Sequence, residues 1–163
     1  MSVPHPLPDA ARAARLALAL EALCAWYGAL TPLSLERLGE FYRPDAQFQD
    51  PFNEVVGLLA IERIFTDMFE RTEAPRFLVR ESLAGTDRAF LTWDFEFGLR
   101  GRRLVVHGAT RLLFDEQGRV REHRDYWDPA GQLWQQLPLL GPCVAWLRRR
   151  MAARGPTSRA ARR

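Results

Sequence analysis

The sequence predicts an α+β fold: a cone-shaped half-barrel in which a curved, mostly antiparallel sheet wraps around three N-terminal helices, plus a C-terminal helix. Two observations lead to this prediction. Apolar residues recur every three or four positions before Pro75 and every second position after it, which is typical of helices followed by strands. The junctions between the later segments are short and rich in turn residues, which favours antiparallel hairpins.

The helices are predicted from apolar periodicity and from their start signals. The first covers 9–30 and begins at Asp9, a suitable N-cap. The second, over 31–42, begins with a Thr-Pro pair that suits the first turn of a helix. A short strand over 45–51 follows, and the third helix covers 57–72.

Four further strands are predicted over 76–84, 89–99, 103–115 and 119–128. In the second of these, one face is entirely apolar, so we expect it to face inward; its members are Leu91, Trp93, Phe95 and Phe97. A concave sheet lined in this way and closed by helices encloses an apolar cavity.

The last predicted strand has no apolar face. One side of it carries Arg121, His123, Asp125 and Trp127. A strand that is polar on both sides is either a sheet edge or the wall of a polar part of a cavity. If Trp127 faces inward, His123 and Asp125 face inward with it, and two ionisable groups in a pocket indicate pairing or function.

The domain organisation predicted is one cone-like domain over 9–147, followed by an Arg-rich helix end and a tail over 148–163. All 23 basic residues are arginine, and seven of them fall in that tail, so the rest of the chain has a net charge of −4. A nucleic-acid-binding protein carries its positive charge along one face, and we therefore expect no nucleic acid partner.

No apolar run reaches the ~18 to 20 residues that span a bilayer, and we expect a cytoplasmic protein. The C-terminal apolar segment is expected to close the mouth of the cone or to pack on a second subunit rather than to lie on a membrane surface. Cys24 and Cys143 are expected to be buried free thiols. No residues have metal-ligand spacing and there is no Gly-rich phosphate loop, so neither a metal nor a cofactor is predicted.

The chain resembles the nuclear transport factor 2-like superfamily over about residues 14–135. The segments that carry the resemblance are the first helix, EFYRPDAQFQDPFNEVVGLLAIERIF, WDFEF and DEQGRVREHRDYWD. Within the superfamily, the SnoaL-like polyketide cyclases and the ketosteroid isomerases are the most similar. The resemblance implies the cone-shaped fold. The superfamily includes isomerases, cyclases, hydrolases, dehydratases and non-catalytic binders.

Candidate site residues follow from this resemblance. In ketosteroid isomerases, the Asp of an Asp-Pro pair that ends the first strand is the general base, and Asp50 has that place here. Asp50 also fits a second interpretation, a cap of the turn before the third helix. The tyrosine of their first helix falls on Trp26, beside Tyr27, and their oxyanion Asp falls at about Thr110.

The polyketide cyclases imply a second candidate. Their acid-base residue is acidic and lies on the last strand, where this chain has Asp125, with His123 two residues before it. Some related epoxide hydrolases use an Asp-Arg-Asp arrangement, of which Arg121 with Asp125 resembles one half.

The predicted function is an isomerase-, cyclase- or lyase-type enzyme that performs acid-base chemistry on a hydrophobic carbonyl compound. The alternative is a non-catalytic protein that binds a hydrophobic ligand; in a third possibility, its own side chains fill the cavity. The predicted catalytic residues are Asp50, Asp125 and His123. The predicted pocket residues are Trp26, Tyr27, Tyr42, Phe52, Phe65, Trp93, Phe95, Thr110 and Trp127. The expected partners are a hydrophobic small molecule and a second copy of the chain, bound through the outer face of the sheet.

Overall fold

The computed structural model of the protein describes residues 8–133. Within that range the chain forms helices and a single curved sheet. The helices are α1 (Pro8–Gly28), α2 (Leu38–Phe41), α3 (Leu58–Arg71) and α4 (Pro129–Gln132), and a 3₁₀ turn over Leu33–Arg37 leads into α2. None of these helices is long and apolar enough to cross a membrane.

The sheet has six strands in the order β2-β1-β6-β5-β4-β3. The strands are β1 (Tyr42–Gln49), β2 (Glu54–Val56), β3 (Glu73–Ala84), β4 (Arg88–Leu99), β5 (Arg102–Phe114) and β6 (Val120–Tyr126). Neighbours are antiparallel except β1 and β6, which are parallel. The predicted α+β class, with three N-terminal helices and a mostly antiparallel sheet, is confirmed.

The prediction missed β2. This strand has three residues and pairs only with β1 at one edge of the sheet, so it is too short to show an alternating pattern. Residues up to Asp128 form one compact unit, and α4 belongs to a second. The predicted end of the domain at residue 147 and most of the predicted C-terminal helix lie outside the described residues, as does Cys143.

The helices form because each has an apolar stripe to bury. In α1 the buried residues recur at helical spacing; they are Leu16, Leu20, Leu23, Trp26 and Tyr27. In α3, Ile61 and Phe65 are buried one turn apart. Helix α1 contacts β3, and α3 contacts β1 and β3. The core of this unit therefore lies between the helices and one face of the sheet.

The junction between β4 and β5 is a tight hairpin, as predicted. Arg100 and Gly101 both have positive φ angles, of 51° and 75°. A two-residue turn with both residues in this region matches the twist of antiparallel strands, and glycine adopts it without steric cost. The hairpin fixes the register of β4 against β5, which sets the positions of the inward-facing side chains.

An irregularity in β6 changes which side chains face inward. Strict alternation would put Val120 and His123 on opposite faces, yet both are buried. The register shifts between Val120 and Glu122 against both neighbouring strands, which is the effect of a β-bulge at Arg121. Arg121 is exposed. The expectation that Arg121 shares the inner face with His123 and Asp125 is therefore wrong.

The outer face of β4 carries its carboxylates. Asp94 lies 2.5 Å from both Arg80 Nη2 and His107 Nδ1, and these partners hold the pKa of its carboxyl below the ordinary value, His107 having the larger effect. Glu96 pairs with Arg76 at 2.6 Å. Both carboxylates therefore pair with arginines of the neighbouring strand β3.

Gly108 allows Trp93 to lie flat across β5. The two residues are directly opposite each other in the sheet, and a Cβ atom at position 108 would lie 2.3 Å from the indole ring. The indole crosses this gap diagonally, and its Nε1–H donates a hydrogen bond of 2.8 Å to Thr110. Because position 108 has no side chain, the indole N–H of Trp93 can reach Thr110 on the inner face of the sheet.

Gly108→Ala is expected to lower the free energy of unfolding by about 1–3 kcal/mol, because the added methyl group must displace a buried ring. The measurement is urea unfolding followed by circular dichroism. Gly28→Ala is the matched control, since a Cβ there would have no atom within 4 Å. Equal stability of the two variants would contradict this account of Gly108.

Candidate functional site

The inner face of the sheet and two helices enclose a cavity of about 30 Å³. Most of its lining is apolar and aromatic, and its polar atoms lie on one side. The lining residues are Tyr27, Phe65, Phe77, Val79, Leu91, Trp93, Thr110, His123 and Asp125. A cavity of this size has room for about two water molecules, whereas pockets for drug-sized ligands have roughly 300 Å³ or more. In this conformation the cavity is too small for a drug-sized ligand.

A hydrogen-bonded pair, His123 and Asp125, forms the polar wall. His123 is only 4% exposed, and its Nε2 lies 2.8 Å from Asp125 Oδ1. Both residues are on β6, two positions apart, so both point inward beyond the bulge. A carboxylate beside an imidazole in an apolar setting is an arrangement that accepts and returns protons.

Two tyrosines bond to the other nitrogen of His123; Tyr27 lines the cavity and Tyr42 lies behind the lining. Tyr42 Oη lies 2.6 Å from Nδ1, and Tyr27 Oη lies 3.2 Å from it. The two hydroxyls also form a short hydrogen bond with each other. Burial is the main cause that raises the pKa of both hydroxyls well above the ordinary tyrosine value, so both stay protonated and can donate.

Thr110 and Trp93 support Asp125 from β5 and β4. Thr110 lies opposite Asp125 in the sheet, and its hydroxyl donates to Oδ1 in a short hydrogen bond. The same hydroxyl accepts the indole N–H of Trp93 at 2.8 Å. Since His123 also bonds to Oδ1, the second carboxylate oxygen, Oδ2, has no hydrogen-bond donor among residues 8–133 and could accept one from a ligand.

Asp50 occupies a different environment. It ends β1, and its Oδ1 accepts backbone N–H groups of Phe52 and Asn53, each at 2.7 Å. The amide of Asn53 donates to Oδ2 at 2.9 Å. Asp50 is not among the residues that line the cavity. This geometry matches the turn-capping interpretation, and the catalytic role of Asp50 stays a prediction.

Phe52 and Trp127 lie beside the Asp50 turn rather than in the cavity lining. Their rings pack edge to face with centroids 5.2 Å apart. Phe52 is 55% exposed, because it lies in the turn after β1 and not in the strand. Both residues were predicted to line the pocket because the alternation of β1 and β6 was extended past the ends of the strands.

Trp26 and Phe95 also lie outside the cavity lining, and both are packed behind it. The indole N–H of Trp26 donates to the carbonyl of Ser34 at 3.0 Å, so this donor is used by the 3₁₀ turn. The ring of Trp26 stacks on Phe41. Phe95 stacks on Phe77 at 4.6 Å and so supports a lining residue.

Three lining residues were not predicted: Phe77, Val79 and Leu91. Leu91 was assigned to the inner face but not named as a pocket residue. Phe77 and Val79 alternate along β3 in the way that identified the inner face of β4, so the same pattern applied to β3 would have found them. Among residues 8–133, no cluster of His, Cys, Asp or Glu has a geometry that would hold a metal ion.

The chain belongs to the SnoaL-like family. Residues 23–123, more than half of the chain, match the family model described as the SnoaL-like domain. This confirms the resemblance identified from the sequence. No curated protein sequence matches the chain.

Solved structures share the fold. A SnoaL-like polyketide cyclase from Jannaschia sp. CCS1 has a TM-score of 0.64 at 15% identity, over 79% of this chain and 94% of its own. A ketosteroid isomerase-like protein from Catenulispora acidiphila, in complex with trimethylamine, has a TM-score of 0.61 at 16% identity, over 71% and 88%. TerC, co-crystallised with polyporic acid, has a TM-score of 0.62 at 17% identity, over 72% and 94%. At these identities the comparison establishes the fold.

Because burial raises the pKa of Tyr27 and Tyr42, the free energy of unfolding decreases as the pH becomes alkaline. Their raised folded-state pKa values mean that the unfolded chain loses these protons first as the pH rises above ~10. Stability is therefore fully present below that pH and falls above it, by about 1.4 kcal/mol per pH unit for each tyrosine.

Phenolate absorbance during a pH titration checks this. Tyr27 and Tyr42 should ionise only as the protein unfolds, because burial raises the pKa of both hydroxyls. Ionisation of these two tyrosines before unfolding would contradict the burial of the pair.

Proposed function

We propose that the protein is a small-molecule enzyme of the isomerase, cyclase or lyase type, with Asp125 as its acid-base residue and His123 as the partner of Asp125. The observation that carries the proposal is the hydrogen-bonded His123–Asp125 pair in the wall of an aromatic cavity. Two structural relatives hold small molecules, trimethylamine and polyporic acid, which supports a small-molecule ligand. Asp50 has no role in the proposed reaction.

The chemistry proposed is proton transfer next to a carbonyl group. Asp125 Oδ2 accepts a proton from the carbon adjacent to the carbonyl, which leaves a neutral carboxyl group and an enolate. Return of the proton to another carbon gives an isomer. Attack of the enolate carbon on a second carbonyl carbon closes a ring, and the alkoxide formed there takes the proton back from Asp125. Departure of a leaving group from the carbon next to the enolate carbon gives a lyase reaction, and the leaving group takes that proton. The mostly apolar lining of the cavity strengthens the hydrogen bonds that hold the carboxylate.

The cavity volume limits the substrate. A cavity of about 30 Å³ is too small for an organic carbonyl compound unless lining side chains move. Phe77 and Val79 are only half-buried and lie on β3, where the register shifts just after Val79. These side chains are the part of the lining that we expect to move when a larger hydrophobic carbonyl compound enters.

Asp125→Asn tests the catalytic proposal. A panel of small ketones, amines and aromatic ketones is first screened by thermal shift, and each hit is assayed for turnover. We expect the variant to keep ligand binding within a few-fold but to lose turnover by roughly 10² to 10⁴, because the amide cannot accept the proton.

Asp50→Asn is the matched control. Its amide oxygen can still accept the backbone hydrogen bonds of the turn, so turnover should remain within a few-fold of wild type. Turnover that survives in Asp125→Asn, or is lost only in Asp50→Asn, would reject the assignment to Asp125. Binding without any turnover in the wild-type protein would favour the alternative, a non-catalytic binder with the same pocket.

We also propose a homodimer through the outer face of the sheet. Phe90 and Tyr126 are both 48% exposed on this face, and Val105 is exposed farther along β5.

Phe90→Glu is expected to convert the dimer to a monomer, because it replaces an apolar ring on this face with a carboxylate, whose burial costs hydration free energy. Multi-angle light scattering after size exclusion measures the mass. Leu59→Glu is the control, since Leu59 is exposed on α3, away from the sheet's outer face. A wild-type protein that is monomeric at all concentrations would reject the dimer.

A further inference from the structure

The polar side chains around the cavity form one continuous hydrogen-bonded chain. Along it, each residue bonds to the next in the order Trp93, Thr110, Asp125, His123, Tyr42 and Tyr27. The members come from α1 and from four strands, β1, β4, β5 and β6. A chain of this kind has a direction, because each hydroxyl donates once and each carboxylate oxygen only accepts.

The direction on the side of Thr110 follows from chemistry. An indole N–H can only donate, so Thr110 accepts from Trp93 and donates its own proton to Asp125. Oδ1 of Asp125 therefore accepts a hydrogen bond from Thr110. The same oxygen faces His123 Nε2 at 2.8 Å, and a carboxylate there requires Nε2 to carry a proton.

Tyr42 completes this assignment from the other side of the imidazole. With the ring proton on Nε2, Nδ1 of the neutral ring has a lone pair, and the Tyr42 hydroxyl is the nearest donor at 2.6 Å. Tyr27 is 3.2 Å away and bonds to the oxygen of Tyr42. Tyr42 has no exposed surface and lies on β1, opposite Val120 of β6, so its hydroxyl is held in place.

We propose that Tyr42 is a positioning residue that holds the proton of His123 on Nε2 and thereby keeps Asp125 as an unprotonated acceptor facing the cavity. The opposite tautomer would place an Nδ1 proton against Tyr42 and a lone pair on Nε2 against the carboxylate oxygen. Two facing acceptors in a buried site are unfavourable. This inference rests on the proposed role of Asp125 for its catalytic meaning, but the position of the proton can be measured without a substrate.

The test is ¹⁵N NMR of the imidazole rings in the full-length protein, with the three histidines assigned by single substitutions. In wild type we expect a protonated Nε2 and a hydrogen-bonded, unprotonated Nδ1 for His123. In Tyr42→Phe, the loss of one buried hydrogen bond should shift the tautomer ratio roughly fivefold toward Nδ1–H and move the Nδ1 resonance. A wild-type ring that carries its proton on Nδ1 would overturn the proposal.

Two further variants distinguish a positioning role of Tyr42 from a general disturbance of the buried hydrogen bonds. Tyr27→Phe keeps the Tyr42 hydroxyl beside Nδ1 and should leave the tautomer as in wild type, although it also removes a buried hydrogen bond. Tyr126→Phe alters an exposed tyrosine and should change nothing at His123. If Tyr42→Phe and Tyr27→Phe shift the tautomer equally, or if neither does, Tyr42 does not have the positioning role.

Once a substrate is found, kinetics gives a second measurement. Tyr42→Phe should lower kcat more than it changes KM, because Tyr42 does not touch the cavity. If the expected tautomer is observed but Asp125→Asn keeps full turnover, the positioning of the proton stands and the proposed function fails. If turnover depends on Asp125 but the tautomer is reversed, the proposed function stands and the role of Tyr42 fails.

Discussion

The hydrogen bond between His123 and Asp125 is the interaction on which the other features of the site depend. A carboxylate in a largely apolar cavity is unfavourable unless hydrogen bonds compensate for its lost hydration. Here β6 supplies the imidazole and β5 supplies the Thr110 hydroxyl. The imidazole in turn needs a donor for its second nitrogen, and β1 provides it in Tyr42. Satisfying one charge therefore requires groups on three adjacent strands.

The aromatic and polar parts of the cavity depend on each other. Trp93 is both a wall and a donor, and it reaches Thr110 only because Gly108 leaves room for its ring. Phe77 closes the apolar side and is supported by Phe95. Excluding water in this way strengthens each hydrogen bond in the chain and raises the penalty for any group left unpaired. The same packing leaves only a small cavity. The side chains that hold the polar groups rigidly therefore also take up the space that a ligand would need.

Most of the fold could be predicted from the sequence, because the change from helical to alternating periodicity is strong and the β4–β5 hairpin has clear turn residues. The site was predictable only in part. Asp125 and His123 were found because they are ionisable residues on a strand without an apolar face. The bulge at Arg121 could not be found, because alternation assumes a regular strand. Asp50 and Asp125 were both candidates in the sequence, but Asp50 accepts the N–H groups of its own turn and lies outside the cavity lining. The role of Tyr42 depends on a pairing between distant strands, which a local pattern does not reveal.

The parallel pairing of β1 with β6 has a consequence for how the protein folds. The helices and the β3–β4–β5–β6 meander can form from contacts between near neighbours in sequence, whereas the hydrogen bond from Tyr42 to His123 joins residues 81 positions apart. Closing so long a loop costs conformational entropy before the contact returns any energy, so such pairings form late. We expect a nearly complete sheet to exist before the polar chain is assembled. The pairing of β1 with β6 is then the last to form, and it is this pairing that brings Tyr42 to His123. A folding intermediate that lacked it would have most of the sheet but not the hydrogen-bonded site.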